Sequence, residues 1–167
     1  MQTMPILTAD ARDKAALYDE LAAQLRAVVG QERDFIANSA NCAAVLFGAL
    51  PDVNWAGFYF LRGADLVLGP FQGKPACVRI GPGRGVCGAA GEQRRTIVVP
   101  DVHEFPGHIA CDSASNSEIV IPLVVGSRLV GVLDLDSPVP GRFDGEDAAG
   151  LEVIAAILLA ASDVAGI

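Results

Sequence analysis

Strand-forming segments joined by short turns occupy the middle of this chain and constrain its fold more than any other feature. Residues 54–61 and 65–69 form one such pair, and residues 118–125 and 129–135 form a second. Turns of two or three residues join neighbouring strands that run in opposite directions. We therefore expect a largely antiparallel central sheet.

Segments with helical periodicity lie on both sides of these strands. Leu17, Leu21 and Leu25 recur at helical spacing within residues 14–29, and a second helical stretch covers about residues 33–50. Asp144, with Asp147 three residues later, is predicted to cap a last helix over about 145–164. These elements predict a single α+β domain over residues 1–167, with N-terminal helices at about 14–50, the sheet and its loops at 54–136, and helices packed on one face.

Length, charge and targeting signals narrow the class of protein further. A chain of 167 residues suits one domain, and a net charge of −8 disfavours nucleic acid or an anionic membrane as a partner. Residues 1–10 lack the basic start and apolar core of a signal peptide, and no apolar run is long enough to span a bilayer. We expect a cytoplasmic protein with reduced cysteines.

Three of the four cysteines lie in short segments rich in glycine or turn residues. Cys87 follows a glycine loop near a predicted helix N-terminus, which would lower its pKa, although it could equally be a small residue packed under that loop. Cys111 lies in a long loop, three residues after His108, which could tune the thiol or be a surface histidine. Cys42 lies among alanines and is predicted to be a small buried residue.

Carboxylates form a second group of candidates. Strand alternation places Asp134 and Asp136 on one face, and Glu118 begins the strand before them. Side by side on an interior strand they would repel one another, so they would need a cationic partner such as a ligand's ammonium group. The alternative is a strand end that emerges into solvent.

An aromatic strand supplies the last candidates. Alternation places Trp55, Gly57 and Tyr59 on one face of residues 54–61. Gly57 could leave space for a ligand between the two rings, or let a neighbouring backbone approach. The cysteine and histidine spacings contain no C-x-x-C pair, so the sequence predicts no metal site.

Several of these segments resemble one known family. The order of elements resembles a GAF domain, which holds ligands under loops on the sheet face opposite its helices. The runs GPFQGKPACVRI (69–80), GRGVCG (83–88) and DVHEFPGHIACD (101–112), with SNSEIV (115–120) and NWAGFY (54–59), resemble the motifs of the free methionine-(R)-sulfoxide reductases. The similarity extends from about residue 18 to the final helix.

The resemblance implies an L-methionine (R)-S-oxide reductase that has no bound cofactor and takes electrons from thioredoxin. It makes Cys111 the nucleophile, Cys77 the first resolving cysteine and Cys87 an auxiliary one. Cys111 would become a sulfenic acid, Cys77 would close an intramolecular disulfide, and thioredoxin would reduce that bond.

The resemblance also gives the other candidates roles. Glu118, Asp134 and Asp136 match positions that hold the substrate's ammonium group and assist protonation of the sulfoxide. Trp55 and Tyr59 would wall the pocket, although Tyr59 could equally be a core residue. A homodimer is compatible with the resemblance, and the competing hypothesis is a GAF-type sensor that binds a small molecule or reports redox state without turnover.

Overall fold

A single antiparallel sheet organises the chain, which is described here by a computed structural model over residues 13–167. The predicted absence of a signal peptide concerns residues 1–10, which lie outside the described part. The strands follow the order β3-β2-β1-β6-β5-β4, and every neighbouring pair is antiparallel. The bounds are β1 Trp55–Arg62, β2 Asp65–Gly73, β3 Arg79–Ile80, β4 Ile97–Val99, β5 Ser117–Val125 and β6 Arg128–Ser137.

The β2–β3 region differs most from the predicted strands. β2 continues to Gly73 because it stays paired with β1 as far as Trp55. β3 is only two residues long, because residues 74–77 form a loop before the chain pairs with β2. That loop carries Cys77.

Helices pack on the sheet as the α+β pattern predicts. Their bounds are α1 Lys14–Val29, α2 Phe35–Ala49, α3 Gly85–Gln93 and α4 Gly145–Ala161, with a short 3-10 helix at Val102–Glu104. The predicted cap of α4 is present as a reciprocal pair, in which the side chains of Asp144 and Asp147 each accept a backbone hydrogen bond from the other residue. α4 ends before residue 164, because Asp163 donates a backbone hydrogen bond to Arg33 beside α2. Among the described residues, no helix combines the length and apolarity needed to cross a membrane.

The sheet separates two hydrophobic clusters. α1, α2 and α4 cover one face, where Ala56, Phe58 and Phe60 point into the main core. Trp55 and Tyr59 point to the other face, into a smaller cluster with residues of α3. The predicted alternation of β1 is confirmed, and α3 is the helix that lies on the loop side. Cys42 is fully buried in the main core, which raises the pKa of its thiol to about 12.

A buried carboxylate joins α1 to the start of α4. Asp147 is fully buried and accepts hydrogen bonds from the Tyr18 hydroxyl (2.8 Å), Lys14 Nζ (2.6 Å) and Arg142 Nη1 (3.1 Å). We call these four residues the Asp147 cluster. Two cations and a hydroxyl satisfy the carboxylate, so the cluster closes this side of the domain without exposed charge.

Candidate functional site

A cleft lies between the sheet and the loops on the face opposite α1, α2 and α4. The space between its walls is about 550 Å³, a volume that includes open solvent. The first residues of α3 form one wall and the loop carrying Cys111 forms another. The cleft is lined by all the predicted site residues except Cys77: Trp55, Tyr59, Cys87, Cys111, Glu118, Asp134 and Asp136.

A disulfide joins two loops at this cleft. Cys77 and Cys111 are bonded, with their Cα atoms 5.7 Å apart and 34 positions between them in sequence. Cys111 is exposed and Cys77 is half-buried. Beside this bond, Lys74 Nζ lies 3.7 Å from Asp112 Oδ2, so an exposed ion pair crosses between the same two loops. The two cysteines that the resemblance pairs therefore lie within bonding distance at the mouth of the cleft.

Cys87 lies deeper and in a different environment. It is the third residue of α3 and is buried against the sheet. Burial raises the pKa of its thiol well above the ordinary value, and the nearby charges of Asp134 and Glu118 raise it further. The prediction that the helix N-terminus lowers this pKa is therefore wrong. The alternative, in which Cys87 is a small residue packed under the glycine loop, describes it correctly.

Strand register brings the three predicted carboxylates together. Glu118 on β5 lies directly opposite Asp136 on β6, and Asp134 follows two residues away on the same face. Glu118 and Asp134 are each only 6% exposed, and Asp136 is half-buried. The alternative, in which these carboxylates lie at a strand end that emerges into solvent, is therefore wrong. We call these three residues the acidic pocket.

Electrostatics in the acidic pocket favour protonated carboxyl groups. Burial raises the pKa of all three, and their mutual repulsion adds to it: Asp136 acts on Glu118, Glu118 on Asp134, and Asp134 on Asp136. Within residues 13–167, no lysine or arginine nitrogen lies within 4.0 Å of their oxygens. Asp134 Oδ1 is buried without a hydrogen-bond partner. The pocket is therefore a buried group of carboxyl groups that no lysine or arginine of the described residues neutralises.

His108 is the basic side chain nearest to these carboxylates. Its Nε2 lies 3.4 Å from Glu118 Oε2, and both side chains are largely buried. Burial lowers the pKa of His108, which favours the neutral ring at neutral pH. The histidine therefore faces Glu118, and it supplies little positive charge.

Aromatic rings form the floor of the cleft, without the open space considered at Gly57. The Trp55 ring stacks on Phe71 of β2, with centroids 5.3 Å apart, and on Tyr59, with centroids 6.0 Å apart. A Cβ atom on Gly57 would lie 2.3 Å from Phe71 Cβ. The glycine therefore permits a close approach of the neighbouring strand, which was the second alternative.

Comparison with known proteins identifies the family. The GAF domain model matches residues 13–161. Free methionine-R-sulfoxide reductase of Escherichia coli (strain K12) is 53% identical over 146 residues, 87% of this chain and 88% of the relative. The chain belongs to the free methionine-R-sulfoxide reductases. The enzyme of that name from Saccharomyces cerevisiae is 36% identical over 154 residues, 87% of this chain and 86% of the relative.

Solved structures of this reductase family include one with a ligand. The free methionine-R-sulfoxide reductase of Neisseria meningitidis, solved in complex with its substrate, is 47% identical with a TM-score of 0.89. The match covers 96% of this chain and 95% of that one. The prediction of a GAF fold and of this family from sequence motifs is confirmed.

Sequence reasoning missed how the aromatic floor holds the loop of Cys77. Trp55 Nε1 donates to the Lys74 carbonyl (3.1 Å), and the Tyr59 hydroxyl donates to the Cys77 carbonyl (2.9 Å). A buried tryptophan or tyrosine usually needs a partner for its polar atom, so a signal was present. The partners depend on the fold and could not be read from the sequence.

Two further lining residues were also missed. Arg84 immediately precedes α3 and is one of the residues that line the cleft. Ile109 contacts Gly85, whose φ of +59° and missing side chain let the Cys111 loop approach the start of α3.

Proposed function

We propose that this chain reduces free L-methionine (R)-sulfoxide to L-methionine, with Cys111 as the nucleophile. The observation that carries the proposal is the disulfide between Cys77 and Cys111 at the mouth of a cleft whose interior is a buried acidic pocket without a cation. A thiol pair supplies two electrons, and the acidic pocket suits a small ligand with an ammonium group. Two relatives of this chain, from Escherichia coli and Saccharomyces cerevisiae, carry this activity in their names.

Both ends of an amino acid can be accommodated in the cleft. The ammonium group fits beside Glu118 and Asp134, where its charge would favour the ionised form of these buried carboxyl groups. Arg84 is the arginine that lines the cleft, and it suits the α-carboxylate. A peptide-bound methionine sulfoxide lacks both free groups. We therefore expect selectivity for the free amino acid.

The first chemical step transfers oxygen from the substrate to Cys111. The thiolate sulfur attacks the sulfoxide sulfur while an acid protonates the oxygen, which gives an intermediate with a bond between the two sulfur atoms. The hydroxyl oxygen then passes to the Cys111 sulfur. The substrate's sulfur–oxygen bond and the bond between the two sulfur atoms both break, and methionine leaves. Cys111 is left as a sulfenic acid. The raised pKa values in the acidic pocket make a protonated carboxyl group available as the acid at neutral pH.

The second step closes the disulfide and the third opens it. The Cys77 thiol attacks the sulfur of the sulfenic acid, water leaves, and the Cys77–Cys111 bond forms. A dithiol protein such as thioredoxin then takes over the disulfide by exchange, which returns two electrons and two protons. Exposure of Cys111 makes the bond reachable by a protein reductant. Cys87, buried in α3, is assigned an auxiliary role in this cycle.

The first experiment measures NADPH oxidation with free methionine (R)-sulfoxide, thioredoxin and thioredoxin reductase. We expect turnover by the wild type, none by Cys111→Ser, and unchanged turnover by Cys42→Ser, the matched control in the main core. In Cys77→Ser, about one methionine should be formed per protein molecule. Turnover should then stop even with thioredoxin present, because the Cys77–Cys111 disulfide that thioredoxin reduces cannot form.

Other outcomes would redirect the assignment. Turnover that survives in Cys111→Ser would keep the reductase but move the nucleophile, with Cys87 as the next candidate. Absence of turnover in the wild type, with binding of methionine sulfoxide retained, would favour the GAF-type sensor. Equal rates with the (S) epimer or with a methionine sulfoxide peptide would contradict the proposed fit.

A further inference from the structure

Three buried donor atoms from separate elements meet inside the cleft. Cys87 Sγ on α3 and carboxylate oxygens of Glu118 on β5 and Asp134 on β6 all lie within 4.8 Å of one another. All three residues are buried, and Asp134 Oδ1 has no hydrogen-bond partner. The first step of the proposed reaction uses none of the sulfur chemistry of Cys87. The thiol of Cys87 therefore has a coordinating capacity that this step leaves free.

We infer that Cys87, Glu118 and Asp134 form a binding site for a thiophilic divalent cation such as Zn²⁺, and that the bound ion excludes the substrate. The ion would occupy the part of the cleft in which the ammonium group is held. Binding of the ion is independent of the proposed function, whereas the competition rests on it. The role is inhibitory, and the catalytic steps above need no metal.

The donor set matches zinc better than the common hard cations. Zinc accepts thiolate and carboxylate ligands, and three protein ligands leave a fourth position for water. With zinc–sulfur and zinc–oxygen bonds of about 2.3 and 2.0 Å, tetrahedral ligands lie about 3.3–3.5 Å apart. Donors already within 4.8 Å need only side-chain adjustments to reach that spacing. Magnesium and calcium prefer oxygen ligands alone.

The charge of the site and its access to solvent also favour binding of a cation. An ion that coordinates Cys87 displaces the thiol proton to solvent, as metal binding to cysteine does in general. Two carboxylates and a thiolate then face the ion, and no lysine or arginine of residues 13–167 is paired with these carboxylates. The cleft is partly open to solvent, which gives the ion a route in.

The prediction of no metal site rested on motifs that are close in sequence. These donors are 31 and 16 positions apart along the chain (118 − 87 and 134 − 118) and meet only through the packing of α3 on β5 and β6. Cys87 also stays free when Cys77 and Cys111 are bonded. The site is thus available in the oxidised protein, in which no other thiol lines the cleft.

The test uses this difference between the cysteines. The oxidised protein, with the Cys77–Cys111 bond intact, is titrated with Cd²⁺ while the ultraviolet thiolate-to-cadmium charge-transfer absorption is recorded. We expect about one equivalent to bind, the band to disappear in Cys87→Ser, and Cys42→Ser to keep it. Zn²⁺ should displace Cd²⁺, whereas Mg²⁺ and Ca²⁺ at the same concentration should not.

The Cd²⁺ titration is repeated with a carboxylate variant and with free methionine sulfoxide. Asp134→Asn, which keeps the thiol, should weaken Cd²⁺ binding at least tenfold, and circular dichroism checks that each variant is folded. Free methionine sulfoxide should raise the apparent Kd for Cd²⁺ in the oxidised protein. A full band in Cys87→Ser, or none in the wild type, would overturn the site.

The two proposals fail separately in these experiments. Cadmium binding that methionine sulfoxide does not affect would overturn the competition and leave the metal site standing. Loss of turnover in the reductase assay, with Cd²⁺ binding intact, would remove the proposed reaction only. Because the titration contains no reductant and needs no turnover, one result cannot be mistaken for the other.

Discussion

Buried carboxylates on the two sides of the sheet differ in whether they have cationic partners. In the Asp147 cluster, one fully buried carboxylate accepts hydrogen bonds from two cations and a tyrosine. In the acidic pocket, three carboxylates lie together, and within residues 13–167 their nearest basic neighbour is a histidine whose pKa is lowered by burial. The burial is similar, but the partners are not.

This difference in cationic partners separates a carboxylate that stabilises the fold from carboxylates that are suited to bind a ligand. A buried carboxylate with its cations in place is satisfied when the chain folds, and removing it leaves those cations unpaired. Carboxylates without a cation are a cost to the folded state, which a bound ammonium group or metal ion can offset. The first group should therefore govern stability, and the second should govern binding.

Replacing Asp147 should give the largest effect, and it should be on stability. Asp147→Asn leaves Lys14 and Arg142 without their buried anion, so we expect the free energy of unfolding to fall by about 3–5 kcal/mol. Urea unfolding at pH 7 measures this. The KM of the fraction that remains folded should be unchanged, because Asp147 is remote from the cleft. A loss below about 1 kcal/mol would contradict the structural role.

The matching substitution in the acidic pocket should affect activity instead. Asp134→Asn removes one of the charges offered to the ammonium group, so we expect kcat/KM to fall about 100-fold, equivalent to about 2.7 kcal/mol. Its free energy of unfolding should be equal to or higher than that of the wild type, because a repulsive buried charge is gone. Steady-state kinetics and urea unfolding on the same preparation test both parts. A destabilisation like that of Asp147→Asn would remove the distinction.

The pH dependence of stability sharpens the comparison. Burial and the charge of Glu118 raise the pKa of Asp134 in the folded state. Above the unfolded-state pKa of about 3.9, the unfolded chain therefore loses this proton while the folded protein still holds it. That contribution lowers stability as pH rises. Asp134→Asn does not titrate, so its advantage over the wild type should widen from pH 4 to pH 7. One unit of pKa shift corresponds to about 1.4 kcal/mol. Unfolding curves at several pH values measure the gap, and a constant gap would be the opposing result.

Asp144, at the edge of the Asp147 cluster, should show the smallest effect, with the opposite sign. A hydrogen bond from Lys14 lowers the pKa of this carboxyl group to about 2, and its side chain is half exposed. Its contribution is therefore present above about pH 3.9 and lost as pH falls towards 2. We expect Asp144→Asn to cost less than about 1 kcal/mol at pH 7, and less at pH 3. Thermal melts at both pH values test this, and a larger cost at pH 3 would reverse the assignment.

Local patterns in the sequence were enough to predict much of the fold and of this site. Alternation along β1 and β6 correctly separated Trp55 and Tyr59 from the core residues and grouped Asp134 with Asp136. The motif resemblance paired Cys77 with Cys111, a contact across 34 positions that no local pattern contains. A homodimer and a cytoplasmic location stay predictions.

What the sequence could not predict depends on contacts between elements. The burial of Cys87 follows from the packing of α3 on β5 and β6, which outweighs the effect of the helix N-terminus on its pKa. The space at Gly57 is filled by Phe71, a residue of the neighbouring strand. In both cases the residue type was informative, but the neighbour that decided its environment came from elsewhere in the chain.

The alternation of β1 also has an evolutionary consequence. Every second side chain of this strand belongs to the main core, and the intervening ones belong to the floor of the cleft. Mutations at Trp55 or Tyr59 can therefore alter what the cleft accepts while Ala56, Phe58 and Phe60 continue to specify the fold. A single-residue insertion within the strand would exchange the two sets at once. Such a lineage can acquire new ligands by substitution, but hardly by changing the length of this strand.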